Sequence, residues 1–105
     1  MASFNSNAHP QLAEAFVVWT GKGTSSIPKR NDERLIAYFG AKVAQALLPI
    51  IKSLEKDFYA AAKQNISRDL NEMIDAASAT FRRMHPDISE DVVKILDWCC
   101  SFDWR

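Results

Sequence analysis

The side chains best equipped for chemistry in this chain are His9, His85, Cys99 and Cys100. None has the spacing of a zinc site, which would show paired CxxC motifs or HExxH. His9 reads as a terminus residue and His85 as a helix-end residue. A Cys/His pair can be drawn from Cys99 or Cys100 with His85. A reactive thiolate, however, needs an electropositive and partly exposed setting. Both cysteines lie among Val, Ile, Leu, Trp and Phe, near Asp97 and Asp103, which raises a thiol pKa. They read as buried and inert. A vicinal disulfide between them would strain the local backbone. Adjacent cysteines form no disulfide framework, so a reduced, cytosolic setting is expected.

The carboxylates have a simpler role. Asp32/Glu33 and Glu90/Asp91 stand at expected helix starts, where negative charge meets the positive end of the helix dipole. Asp69, Glu72 and Asp75 read as a solvated face. The GKG at Gly21 lacks the preceding strand and the GK[ST] of a phosphate-binding loop. No catalytic residue, metal or cofactor is expected, and the chain is read as a non-enzyme.

Two surfaces remain as candidates for binding. The first is a row of lysines, Lys42, Lys52, Lys56 and Lys63, with Tyr59 near its edge. It could track a phosphate backbone, helped by Lys22, Lys29, Arg30 and Arg34. A strong nucleic-acid binder is normally basic overall, whereas the net charge here is zero. A faint helix-turn-helix around His85–Ser89 would present Glu90, Asp91 and Asp97 to DNA, which is the wrong sign. The second surface is the ending WCCSFDWR. Trp98, Phe102 and Trp104 lie close together there, with Val93 five residues before Trp98. Large aromatics carry interface energy out of proportion to their number. These four residues are the expected partner-binding set, and closure of the core is the competing role for the aromatics.

Charge is unevenly spread. Up to Ile66 there are eight basic and five acidic residues, net +3, and from Ser67 five and eight, net −3. The expected consequence is docking of the two halves on each other, with self-association as the sharper alternative.

The elements that position these residues are legible as helices. Ala41–Gln64 advances with Val43, Leu47, Ile50, Ile51, Leu54, Phe58, Ala61 and Ala62 on one side and its lysines opposite. Pro49 lies mid-way, on the lysine side. Since the apolar stripe keeps its phase across it, a kinked helix is expected, the alternative being two helices meeting at Leu48–Pro49. A first helix starts near Pro10, carries Leu12, Phe16 and Trp19 on one stripe, and ends at Gly21. Residues 1–8 read as frayed and 21–30 as a loop. Asn31 or Asp32 caps a short second helix with Leu35, Ile36 and Phe39 buried, closed by Gly40. Ser67 caps a fourth helix with Leu70, Met73, Ile74, Ala77, Phe81 and Met84 on its stripe. A capping box at Asp87-Ile88-Ser89-Glu90 opens the last helix. That helix is apolar nearly all round, with only Lys94 and Asp97 as a polar strip, so it belongs at the centre of the fold or under a partner.

No run is long enough to span a membrane, and MASFNSNAHP lacks the features of a secretory signal. Few glycines, no two-residue alternation and 105 residues point to a single all-α domain, a bundle of about five helices built on the long third one. The expected function is that of a small cytosolic protein-interaction protein, bacterial in character. It would be an adaptor, regulator or immunity-type binder, acting on a protein partner or on a second copy. Nucleic-acid binding through the lysine face is the alternative.

Overall fold

Pro49 does not break the long helix. In the computed structural model, which describes residues 11–24, 26–66 and 69–103, α3 runs from Ala41 to Lys63 with Pro49 inside it. The proline side is exposed, so its missing N–H faces solvent-side backbone rather than the core. Around α3 stand α1 (Leu12–Thr20), α2 (Asp32–Phe39), α4 (Leu70–Met84) and α5 (Glu90–Asp103). No β-strand occurs among the described residues. Among the described residues the chain is an all-α bundle of five helices, as expected, and α3 touches each of the other four. No described helix is long and apolar enough to cross a membrane. The expected fraying of residues 1–8 and the helix start near Pro10 lie outside the described residues.

One core runs through all five helices. Leu12, Phe16 and Trp19 of α1, Leu35 of α2, Leu47, Ile51, Leu54 and Phe58 of α3, Met73 and Phe81 of α4, and Val92, Val93, Ile95, Leu96, Cys99 and Cys100 of α5 are buried in it. The stripe on α3 departs from its expected line at the first turn. Ala44 is fully buried and Val43 is 37% exposed. Gly40 is the whole connection between α2 and α3, at φ +87°, and it sets the angle at which α2 leaves. The first turn of α3 is thereby covered on the Ala44 side. The same angle leaves Ile36 out of the core, with Leu35 buried and Phe39 half-buried. On α4, Met84 at the last turn is exposed, and Ser78 is buried instead.

The ends of the helices are set by short-range hydrogen bonds. Gly21 takes the left-handed conformation, φ +79°, and its N–H donates to Val17 O. The Asn31 side chain accepts from the N–H of Glu33 at 2.9 Å and of Arg34 at 3.2 Å. Asp69, not Ser67, caps α4, accepting from Glu72 N at 3.0 Å. Ser67 lies outside the described residues. At α5 the expected box is replaced by Ser89, whose Oγ accepts from Asp91 N at 3.2 Å. Glu90 is drawn away to the guanidinium of Arg82, which it meets at 2.8 and 2.9 Å. A bidentate partner on α4 outcompetes the backbone for that carboxylate.

α5 packs against α1, α3 and α4. Of its polar strip, Lys94 is exposed and Asp97 is half-buried, accepting a hydrogen bond from the Ser78 hydroxyl of α4. Burial holds the Asp97 carboxyl above the usual carboxylate range, against the pull of that bond.

A candidate interaction face between α1 and α5

Residues three or four apart on a helix share a face. Asp91, Lys94, Ile95, Trp98 and Phe102 therefore form one edge of α5. Opposite them α1 presents Ala13, Glu14 and Val17. Lys22 and Gly23, just past the cap of α1, close the gap. Together these elements leave a groove of about 440 Å³ whose floor is Ala13, Val17 and Ile95. Its rim carries Glu14, Asp91, Lys22 and Lys94. Val17 is 39% exposed, a β-branched apolar side chain left in water inside a concavity.

The aromatic end of α5 adjoins the groove through Lys22, which lines the groove and lies over Trp98. Trp98 is half-buried, packed against the core on one side. Its other neighbours are Phe102, edge to face at 6.0 Å, and Lys22, whose Nζ lies 4.8 Å from the ring centroid. A cation over a partly exposed indole contributes about 0.5–1 kcal/mol. Lys22 thus covers Trp98 with a flexible, displaceable group. Val93, expected in this set, is fully buried. It projects about 160° away from Ile95 on the opposite side of the helix, so it belongs to the core and not to the face. Trp104 lies outside the described residues.

The lysines of α3 all reach solvent. Lys52 pairs with Asp32 at 3.1 Å. No ion pair engages Lys42, Lys56 or Lys63 among the described residues. Where the +3 and −3 halves meet, a single Lys/Arg–carboxylate bridge joins them among the described residues, Arg30 to Asp103. The other such bridges form within a half.

That bridge belongs to a cluster that the sequence does not foreshadow. Arg30, from the loop, donates to Glu55 at 2.6 Å, to the Tyr59 hydroxyl at 2.7 Å and to Asp103 at 2.8 Å. Tyr59 in turn donates to the same Asp103 oxygen. Burial opposes the charge on Arg30, and the bonds to Glu55, Tyr59 and Asp103 outweigh it, so the guanidinium is held more firmly protonated than usual. Burial and the bond to Asp103 push the Tyr59 hydroxyl well up, so it remains a donor. The spacing of Glu55 and Tyr59, one turn apart, was the available signal. Nothing local showed that Arg30 would reach them.

His85 is buried, its ring 4.9 Å from Phe81 and its Nε2 2.9 Å from Asp57 Oδ2. It ties the end of α4 to α3 and is bonded to neither cysteine. Its Nδ1 is buried without a partner among the described residues. No group of three potential metal ligands gathers among the described residues.

Comparison with protein-family models, curated proteins and solved structures finds no match to this chain. Geometry alone bears on function.

The cysteines are free and fully buried, and as helical neighbours they point about 100° apart. Burial pushes each thiol up to about 12, and the Asp103 charge acts the same way on both. A folded-state value above the unfolded one means the folded chain holds more protons in alkali. Stability from this source is complete below about 9 and falls as pH rises from there toward 12. The expected result is twofold. A thiol reagent at about pH 8 leaves the native chain unmodified until urea opens it, and the urea midpoint drops between about pH 8 and pH 10. Rapid native labelling, or a flat alkaline limb, would contradict the burial of these thiols.

Proposed function

We propose that this chain is a protein-interaction module whose docking face is the groove between α1 and α5. The observation that carries this reading is the exposed Val17 on the apolar floor of the groove, with the half-buried Trp98 and Phe102 beside it beyond Lys22. An apolar floor with aromatic flanks and a charged rim has the composition of an interface centre and its edge. Lys22 can leave the Trp98 ring when a partner side chain takes its place, at a cost of about 1 kcal/mol or less.

Val17→Asp tests this reading, because it puts a charge on the floor while changing only an exposed position on α1. Partner captured from native extract by the wild type is expected to fall at least tenfold with Val17→Asp. The far-UV spectrum and urea midpoint should stay close to wild type. Charge reversal at Lys42, Lys56 and Lys63 should leave capture unchanged. If that triple variant abolishes capture and Val17→Asp does not, the partner docks on the lysine face of α3 and the reading fails.

A further inference from the structure

We propose that the groove takes an amphipathic helix of a partner protein, laid antiparallel to α5. Acidic residues in its first turn would meet Lys22 and Lys94, and basic residues in its last turn would meet Glu14 and Asp91. The proposal rests on the interaction reading above and adds the partner's chemistry and direction.

Charges follow a definite order along the rim. Glu14 lies in the first turn of α1 and Asp91 in the first turn of α5. Lys94 follows Asp91 by one turn. Lys22 follows the end of α1 and sits over Trp98, two turns beyond Asp91. Along both α1 and α5 the carboxylate therefore comes first and the lysine after it. Glu14 accepts a hydrogen bond from the Tyr38 hydroxyl, a neutral donor that leaves its charge in place. Asp91 and Lys94 make no ion pair with another side chain among the described residues.

Shape selects the kind of occupant. A concavity between two helices is what the ridge of a third helix fills. From Asp91 to Trp98 the edge of α5 is about 10 Å long, or two helical turns. A nucleic acid would meet two carboxylates. A second copy would set one concavity against another and enclose a void. A partner helix meets neither obstacle.

Direction follows from the dipole. Helices favour acidic residues in the first turn and basic ones in the last. A helix with that common arrangement complements this groove only when it runs opposite to α5. Both sets of charges are then paired across the interface, and an apolar pair in its middle lies on Val17 and Ile95.

Two capped synthetic helices of identical composition test the proposal. Each carries a central Leu pair. One has Glu residues in the first turn and Lys residues in the last, and the other has the reverse. Each is titrated to millimolar concentration into isotope-labelled full-length protein, with amide shifts read along α1 and α5. The first peptide is expected to bind at least tenfold more tightly. The second peptide opposes its own dipole and is less helical, so a protein variant provides the control. Asp91→Lys combined with Lys94→Asp inverts the edge of α5 and should shift the preference toward the second peptide, which lower helicity cannot produce. Equal affinities, no shifts on α1 and α5, or an unchanged preference in the inverted protein would overturn the proposal. So would a wild-type dimer in light scattering that Val17→Asp dissociates. Should Val17→Asp lose the natural partner while the peptides bind without discrimination, the docking face stands and the helix direction falls.

Discussion

Replacing Phe58 with alanine is expected to lower the folding free energy by about 3–5 kcal/mol. Phe58 is fully buried on the inner face of α3, in its C-terminal third. Its ring stands 5.4 Å from that of Phe81 on α4, at 63°. Phe81 in turn lies against His85, which holds Asp57 on α3. The aromatic pair therefore sits inside a loop of contacts that joins α3 to α4 at two levels. Removing the ring loses its transfer free energy and leaves a cavity that two helices, pinned nearby by the His85–Asp57 contact, cannot close fully. A small domain has about 5–15 kcal/mol in total, so the variant is left near the edge of folding. Phe58→Leu should cost much less, about 1.5 kcal/mol or under, because most of the volume is kept. Urea unfolding followed by circular dichroism reads both values. A loss below about 1 kcal/mol for the alanine variant would mean that the helices collapse onto the vacancy, and that Phe58 does not hold their spacing.

Arg34→Met is expected to cost about 2–4 kcal/mol and to loosen the loop before the rest of the fold. α1 has no basic residue in its last turn, so no cation of its own answers its carbonyl end. Arg34, from α2, supplies the missing cation. Its Nε donates to Val18 O at 2.9 Å and its Nη2 to Trp19 O at 3.1 Å, and Nη2 also reaches Lys29 O in the loop. Gly21 makes room for this guanidinium, since a Cβ there would stand 3.1 Å from Nη2. Methionine keeps much of the stem packing and removes every donor. The carbonyls of Val18 and Lys29 then lose a charged partner, while Trp19 O keeps the N–H of Asn31. Arg34→Lys should recover only part of the loss, because an ammonium cannot span three carbonyls as a planar fork does. The diagnostic is hydrogen exchange. The amides of Gly21, Lys29 and Asn31 should speed up more than those of the α3–α4 core, since the loop lies at the low-stability end. A stability change under about 0.5 kcal/mol would show that water caps α1 equally well. Loosening this loop also displaces Lys22 from Trp98, which connects the cap to the proposed docking face.

The helices and most of their ends were determined by the sequence itself. Apolar spacing marks each buried stripe, and Gly21, Asn31, Gly40 and His85 stand at the boundaries the structure uses. These are effects of neighbouring residues, and the linear chain contains them. Expectations failed where a second element competed. Arg82 took Glu90 from its capping role, and the angle at Gly40 put Ala44 in the core in place of Val43. The burial of Cys99 and Cys100 was legible from their apolar neighbours. Those same neighbours do not decide between core and surface for Trp98, which is half-buried.

What only tertiary structure decided is the meeting of residues far apart in the chain. Arg30 joins Glu55, Tyr59 and Asp103, Arg34 caps a helix to which it does not belong, and Lys22 lies over Trp98. A long cationic side chain can reach in many directions, and its own sequence neighbours do not choose among them. The choice is made by the packing of α1, α3 and α5, which places carboxylates, carbonyls and an indole within a few ångströms of those heads. The groove has the same origin. Val17 is an ordinary apolar residue on the wheel of α1, and it becomes the floor of a groove only because α5 stops short of covering it.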